Sequence, residues 1–142
     1  MKLSEIYKCF SDETRLRILS LLSVSPLCVC HIQAVLNKSQ VVISQHLAYL
    51  KKRGLVAGQR YRNWMLYALP SDRPAALEAN LSCLKKALES EPVLRKDAQR
   101  LAKLMGAKGV QNLLDEGCCA RIIASTASKS RRKLSAAKQV SI

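Results

Sequence analysis

Hydrophobic residues at the start of the chain recur every three or four positions, which is the spacing of one face of a helix. A first helix is predicted by the apolar set Leu3, Ile6, Tyr7 and Phe10. Ser11 and Asp12 then supply capping oxygens for a second helix that extends over about 13–22. The chain is therefore expected to begin with two short helices in succession.

A third short helix is predicted over 30–36. After a turn, Ser39 is placed to cap a fourth helix that continues to Lys52. The inward positions of this fourth helix are expected to be Val42, Ile43, Leu47 and Leu50. Gly54 follows as its C-terminal stop.

Beyond Gly54 the hydrophobic period shortens to about two, which is the period of a strand. Residues 55–57 and 64–69 are the two apolar runs, and the polar stretch 58–63 separates them, so a hairpin is predicted. The helical period then returns in a stripe suited to pairing with another helix: Leu77, Leu81, Leu84 and Leu88. A further helix closed by Gly106 and a last helical piece over 110–124 are also predicted.

Composition agrees with one small helical domain. The 142 residues are 49% hydrophobic, too apolar for a disordered polycation, and only six residues are aromatic. The apolar runs are a few residues long, whereas a transmembrane helix needs about 20, and Glu5 interrupts any apolar export signal. We therefore expect a cytoplasmic protein without a membrane partner, whose six cysteines are reduced.

The net charge of +14 is concentrated in one part of the chain. Residues 14–71 contain no Asp or Glu, and their eight cations are Arg15, Arg17, Lys38, Lys51, Lys52, Arg53, Arg60 and Arg62. Ordinary soluble surfaces mix both signs of charge. A segment without carboxylates favours a surface that approaches a polyanion such as DNA.

Two short helices joined by a tight turn and followed by a basic hairpin predict a winged helix-turn-helix. One helix of such a unit enters the major groove, while flanking cations hold phosphates. The fold class expected is mainly α with a small β-hairpin, additional C-terminal helices and a disordered basic tail. The candidate contacts to double-stranded operator DNA are Ser39, Gln40, Ser44, Gln45, Lys51, Arg60 and Arg62, with His46 as a secondary candidate.

Three blocks of the sequence, 10–19, 39–47 and 54–56, resemble the ArsR/SmtB family of bacterial transcriptional repressors. The resemblance covers about 3–88. It implies a homodimer whose interface is formed by the first helix and the Leu77–Leu88 helix, and repression that an inducer relieves. An enzyme is not expected: the loop between Cys9 and Arg15 resembles an oxyanion cradle, but the carboxylates within it would repel an anionic substrate.

Cys28 and Cys30 are similar to the thiol motif of arsenite-responsive members of that family. The third cysteine of the motif is replaced here by Gln33. Trivalent arsenic, As(III), is thiophilic and prefers three thiolates. Residues two apart on a regular helix point about 200° apart, so joint ligation by the two cysteines is expected to unwind the turn.

The third thiolate is left open by the sequence. Cys118 and Cys119 could complete the Cys28/Cys30 site, or form a two-thiol site that suits a methylated trivalent arsenical. Cys9 and Cys83 are expected to pack against apolar neighbours. The metal candidates are therefore Cys28, Cys30, Cys118 and Cys119, with As(III) or Sb(III) as inducer and no organic cofactor.

The predicted organisation has three parts. Residues 1–90 form the DNA-binding and dimerisation domain, 91–124 form a helical extension carrying Cys118 and Cys119, and 125–142 form a disordered basic tail. Two other functions remain open at this point. The same fold could sense cadmium, zinc, thiol oxidation or persulfide, or the tail, with its charge of +5, could bind nucleic acid in an architectural or RNA-binding protein.

Overall fold

The computed structural model describes residues 1–61 and 64–106. The elements along the chain are α1 (Leu3–Phe10), α2 (Glu13–Val24), β1 (Leu27–Cys28), α3 (Val29–Leu36), α4 (Gln40–Lys52), β2 (Ala57–Tyr61), β3 (Trp64–Ala68), α5 (Ala75–Ala87) and α6 (Pro92–Met105). The prediction of a mainly helical fold with a small antiparallel sheet is confirmed. The last predicted helical piece, 110–124, and the predicted tail, 125–142, lie outside the described residues.

Local capping explains where the helix-turn-helix begins and ends. The Oγ of Ser39 accepts a hydrogen bond from the backbone N–H of Val42 at 3.3 Å, which starts α4 as predicted. Asn37 adopts the left-handed conformation, with φ of 53°, and turns the chain between α3 and α4. Gly54 follows α4 with φ of 77°, a value that a side chain disfavours.

The sheet contains one strand more than the hairpin that the sequence predicts. Its order is β1-β3-β2, with both pairs antiparallel. In β1, which has only two residues, Cys28 pairs with Leu66 of β3. The first hairpin strand starts at Ala57, later than predicted, because Leu55 and Val56 are buried and anchor the loop before it in the core.

The leucine stripe on α5 packs inside the protomer. Leu77, Leu81 and Leu84 are all buried in the same core as α2, and Leu88 lies just past the helix as its C-cap. The prediction that this stripe pairs with another helix is confirmed, and the helix it packs on is α2 of the same chain.

Helix α6 joins the same core and lies against α2 and α3. Its Leu94 and Leu101 are buried, and it ends at Gly106 as the sequence predicts. Asp97 of α6 accepts two hydrogen bonds from Arg17 of α2, at 2.8 and 2.9 Å. Of the helices in the described residues, none has the length and apolar character needed to cross a lipid bilayer.

Candidate nucleic-acid interface and thiol site

Helix α4 has one buried face and one exposed face. Ile43, Leu47 and Leu50 are fully buried and hold the helix against the rest of the domain. The exposed positions of its first two turns are Gln40, Val41, Ser44 and Gln45. Because residues three and four apart share one side of a helix, Val41, Ser44 and Gln45 present one continuous surface. That surface offers amide and hydroxyl groups for base edges, as predicted for Gln40, Ser44 and Gln45.

Two of the candidate DNA contacts have structural partners. The Ser39 hydroxyl is occupied as the N-cap of α4. His46 is half-buried, and its Nδ1 lies 4.0 Å from Oδ1 of Asp12 at the start of α2. That carboxylate also accepts the backbone N–H of Arg15 at 3.0 Å, and this bond holds the pKa of Asp12 below its ordinary value. His46 therefore faces the neighbouring helix, which makes it the weakest of the candidate contacts.

Not all cations of the acid-free segment face solvent. Arg17 is paired with Asp97, which raises the pKa of Arg17 through the hydrogen bonds between them. The guanidinium groups of Arg15 and Arg53 lie 4.2 and 3.5 Å from the ring centroid of Tyr49. Three of the eight cations thus serve the fold rather than an exposed surface.

Four other cations of that segment are placed at the rim of the helix-turn-helix and wing. Lys51, Lys52 and Arg60 are exposed, and Lys38 is half-exposed. The side chain of Lys51 extends over β2, where its Nζ lies beside Gly58. Arg62 lies outside the described residues. We define the DNA-facing surface as the exposed positions of α4 together with this rim.

Cys28 occupies a position shared by the sheet and a helix. It is 3% exposed, its backbone is extended, and it is the residue before the first turn of α3. Cys30 is half-buried within that turn and is disulfide-bonded, so the expectation that all six cysteines are reduced is wrong for this residue. Leu66 of β3 and Met105 of α6 pack around the same small cluster. The premise that both cysteines lie on a regular helix is wrong, because Cys28 is the last residue of β1 and precedes the helix.

His31 secures the start of α3. Its Nδ1 accepts the backbone N–H of Cys28 at 3.1 Å, and the two residues form a reciprocal capping pair. Its Nε2 is buried and has no hydrogen-bond partner within the described residues. Since Nδ1 is an acceptor here, Nε2 carries the proton of the neutral ring and is not available as a metal ligand in this arrangement.

The remaining described cysteines differ from each other. Cys9 is fully buried in the core, as predicted, and burial raises the pKa of its thiol. Cys83 is exposed on α5 and does not join the core of the protomer, so its predicted packing stays a prediction that concerns the dimer. Cys118 and Cys119 lie outside the described residues. Within 1–61 and 64–106, no cluster of three or more His, Cys, Asp or Glu side chains could hold a metal ion.

Sequence reasoning missed two elements of the site. Val41 was not counted among the surface residues of α4, although its spacing to Ser44 and Gln45 would have indicated it. The β1 pairing that places Cys28 in the wing sheet has no sequence signal, because two residues are too few for a period to be recognised.

The chain that carries this surface and the thiol site is similar to known bacterial regulatory proteins. A family model for bacterial regulatory proteins of the arsR family matches residues 12–57. The arsenic resistance transcriptional regulator ArsR2 of Pseudomonas putida is 34% identical over 116 residues, covering 81% of this chain and 96% of that protein. The arsenical resistance operon repressor of Escherichia coli is 42% identical over 72 residues, covering 50% of this chain and 62% of that protein.

The fold has a counterpart among solved structures as well. HlyU from Vibrio cholerae superposes with a TM-score of 0.53 and 31% sequence identity, covering 58% of this chain and 87% of that chain. This similarity agrees with the winged-helix arrangement of α3, α4 and the β2–β3 hairpin.

Proposed function

Because this chain belongs to the ArsR family of bacterial regulatory proteins, we propose that it is a repressor that binds operator DNA as a homodimer and is released by trivalent arsenic or antimony. That it is a transcriptional regulator and not an enzyme follows from the family and confirms the sequence prediction. The DNA, the dimer and the inducer are the proposed parts.

The DNA-facing surface supports operator binding. Gln40, Ser44 and Gln45 offer hydrogen-bonding groups that match base edges in the major groove, and α4 is held rigidly from behind by its buried face. Lys51 and Lys52 at the end of the helix and Arg60 on the wing supply cations for the flanking phosphates. Arg62, two residues after Arg60 in sequence, belongs to the same proposed contact.

The position of Cys28 carries the proposal of a thiol switch. One residue ends β1, pairs with the wing strand β3 and caps α3, the helix that packs on α4. An ion that draws Cys28 and Cys30 together therefore acts on the wing and on the support of α4 at once. A bound As(III) would contribute only its bonds to the thiolates. The displacement of β1 and α3 that these bonds impose would release the DNA.

The donor set of the described residues fits As(III) in kind but is incomplete. Cys28 and Cys30 place two sulfur atoms at the start of α3, and after reduction of the disulfide at Cys30 they would offer thiolates, which soft thiophilic centres select. We propose that the pair Cys118 and Cys119 supplies the third sulfur ligand from one of its two thiolates. Met105, at the end of α6, already packs beside Cys28, so the chain that continues toward these cysteines leaves from the edge of the site.

Exposed apolar residues on α1 support the homodimer. Met1, Leu3 and Tyr7 are each more than half exposed, although α1 is otherwise packed on the domain. Such side chains favour association of two copies through α1. Sedimentation of a Leu3→Glu, Tyr7→Glu variant tests this: a dimer mass for wild type and a monomer mass for the variant are expected, and a dimeric variant contradicts the interface.

Release by arsenic is tested with a duplex that the protein itself selects from a random pool. Fluorescence anisotropy with reduced protein under anaerobic conditions should show loss of binding when arsenite is added. A Cys28→Ser, Cys30→Ser variant should bind the duplex and ignore arsenite. Cys83→Ser is the matched control, because that thiol is exposed on α5, away from the cluster, and its response should equal that of wild type.

Other triggers give different outcomes in the same assay. Release by cadmium, zinc or an oxidant, with no response to arsenite, contradicts the proposed inducer and leaves the operator binding intact. Release by arsenite in the Cys28→Ser, Cys30→Ser variant contradicts the proposed ligands. X-ray absorption on the arsenite complex then counts sulfurs per arsenic, and three are expected.

A further inference from the structure

Val41 stands out on the DNA-facing surface. It is 64% exposed, whereas the side chains of Met1, Leu3, Tyr7, Val24 and Met65 are between 36% and 55% exposed. It neither caps α4, which is done by Ser39, nor joins the core, which is done by Ile43 and Leu47. A β-branched residue also has lower helix propensity than alanine, so neither the packing nor the local helix explains its presence.

The neighbours of Val41 indicate what covers it. It is the second residue of α4, and the N-terminal residues of a recognition helix contact base edges. On its side of the helix lie Ser44 and Gln45, which are exposed and polar, and the rim beyond them is cationic. An apolar protein partner would meet amides, hydroxyls and positive charge around one valine, whereas the major groove of DNA complements all of them.

The major groove offers an apolar group of the right size. Thymine carries its C5-methyl group there, and the apolar side chains that read DNA do so against this methyl. We infer that Val41 is a specificity-determining residue that packs against a thymine methyl group in the operator. The inference rests on the proposed operator binding by α4 and adds a base preference at one position of each half-site.

Replacing thymine with deoxyuridine removes the methyl group and leaves every hydrogen-bonding group in place. In the duplex selected by the wild-type protein, each thymine is replaced in turn and the dissociation constant is measured by anisotropy. One position in each half-site is expected to weaken binding about fourfold, the value for losing one buried methyl group. The other positions should change much less.

The Val41→Ala variant locates the contact. It should bind the thymine duplex about as weakly as wild type binds a duplex with deoxyuridine at the sensitive position of both half-sites, because the variant dimer lacks both contacts, and the same replacement should cost it nothing further. Val24→Ala is the matched control, because Val24 is 54% exposed at the end of α2, outside α4, and its scan should equal that of wild type. Circular dichroism should show the Val41→Ala variant folded, since alanine favours a helix.

Three results would overturn the inference. They are a deoxyuridine scan with no sensitive position, equal sensitivity in Val41→Ala and wild type, and a change of sedimenting mass in Val41→Ala, which would make Val41 a protein contact. Absence of binding by wild-type protein to any selected duplex would instead refute the proposed operator binding, so the two failures are distinguishable.

Discussion

The ion pair between Arg17 and Asp97 is expected to dominate the attachment of α6. The Asp97 side chain is 1% exposed and the Arg17 side chain 11%, and two hydrogen bonds of 2.8 and 2.9 Å join them. Asp97→Ala would leave a guanidinium buried without its counter-charge. Removing one partner of such a buried pair costs about 3–5 kcal/mol in the free energy of unfolding.

Urea unfolding followed by circular dichroism measures this loss. Protein concentration must be held fixed, because the proposed dimer links stability to concentration. Glu78→Ala is the matched control, since it removes a carboxylate whose partner is Arg73 at 3.1 Å and whose side chain is 59% exposed. An exposed pair of this kind contributes about 0–1 kcal/mol, so the control should unfold close to wild type.

A double variant separates the charge from the contact. Arg17→Met with Asp97→Leu removes both charges and keeps apolar volume, and such replacements of buried pairs are often neutral or stabilising. It should therefore be more stable than Asp97→Ala alone. The reasoning is refuted if Asp97→Ala loses no more stability than Glu78→Ala, or if the double variant loses as much as Asp97→Ala.

Three further outcomes follow from the described residues. Iodoacetamide should label exposed Cys83 quickly and buried Cys9 slowly, since burial raises the pKa of Cys9 and keeps its thiol protonated; peptide mass spectrometry measures this, and equal rates would contradict the burial. Because its folded pKa is lowered, Asp12 stabilises the protein above the ordinary carboxyl range and loses this contribution as pH falls through the folded value. The free energy of unfolding of wild type in urea should therefore fall toward that of Asp12→Ala in acid, from a difference of about 1 kcal/mol at neutral pH, and a constant difference would contradict this. Gly54→Ala should cost about 1–2 kcal/mol because φ is 77°, and an unchanged thermal midpoint would show that the strain is absent.

Local features of the fold could be predicted because a few neighbouring residues determine them. Ser39 caps α4, Asp12 caps α2 and Gly54 follows α4, all as the sequence indicates. The partner of Arg17 could not be predicted, because Asp97 is 80 residues away and hydrophobic spacing carries no information on which charges meet. The helix against which Leu81 packs could not be named for a related reason, since an apolar stripe does not say which surface covers it.

The candidate site was predicted in part. The exposed polar positions Gln40, Ser44 and Gln45 follow from helical spacing, and the structure places them together. The helix after Cys28 was predicted, but the extended backbone of Cys28 and its pairing with Leu66 were not. That pairing joins residues distant in sequence, which a single sequence does not encode in its periodicity.

Residues 14–71 contain no carboxylate, and the contacts of Arg17 and of helix α2 show where the acidic partners come from. The folded unit still needs negative charge, since Arg17 is nearly buried and α2 requires a cap. Asp97 and Asp12 supply it, and both lie outside that segment; Asp97 is fully buried, and Asp12 is half-buried with its carboxylate bonded to the N-terminus of α2. Because these two carboxylates come from outside 14–71 and each is engaged with a structural partner, the segment keeps its exposed rim purely cationic. Segregation of this kind, more than the total charge, favours approach to a phosphate backbone.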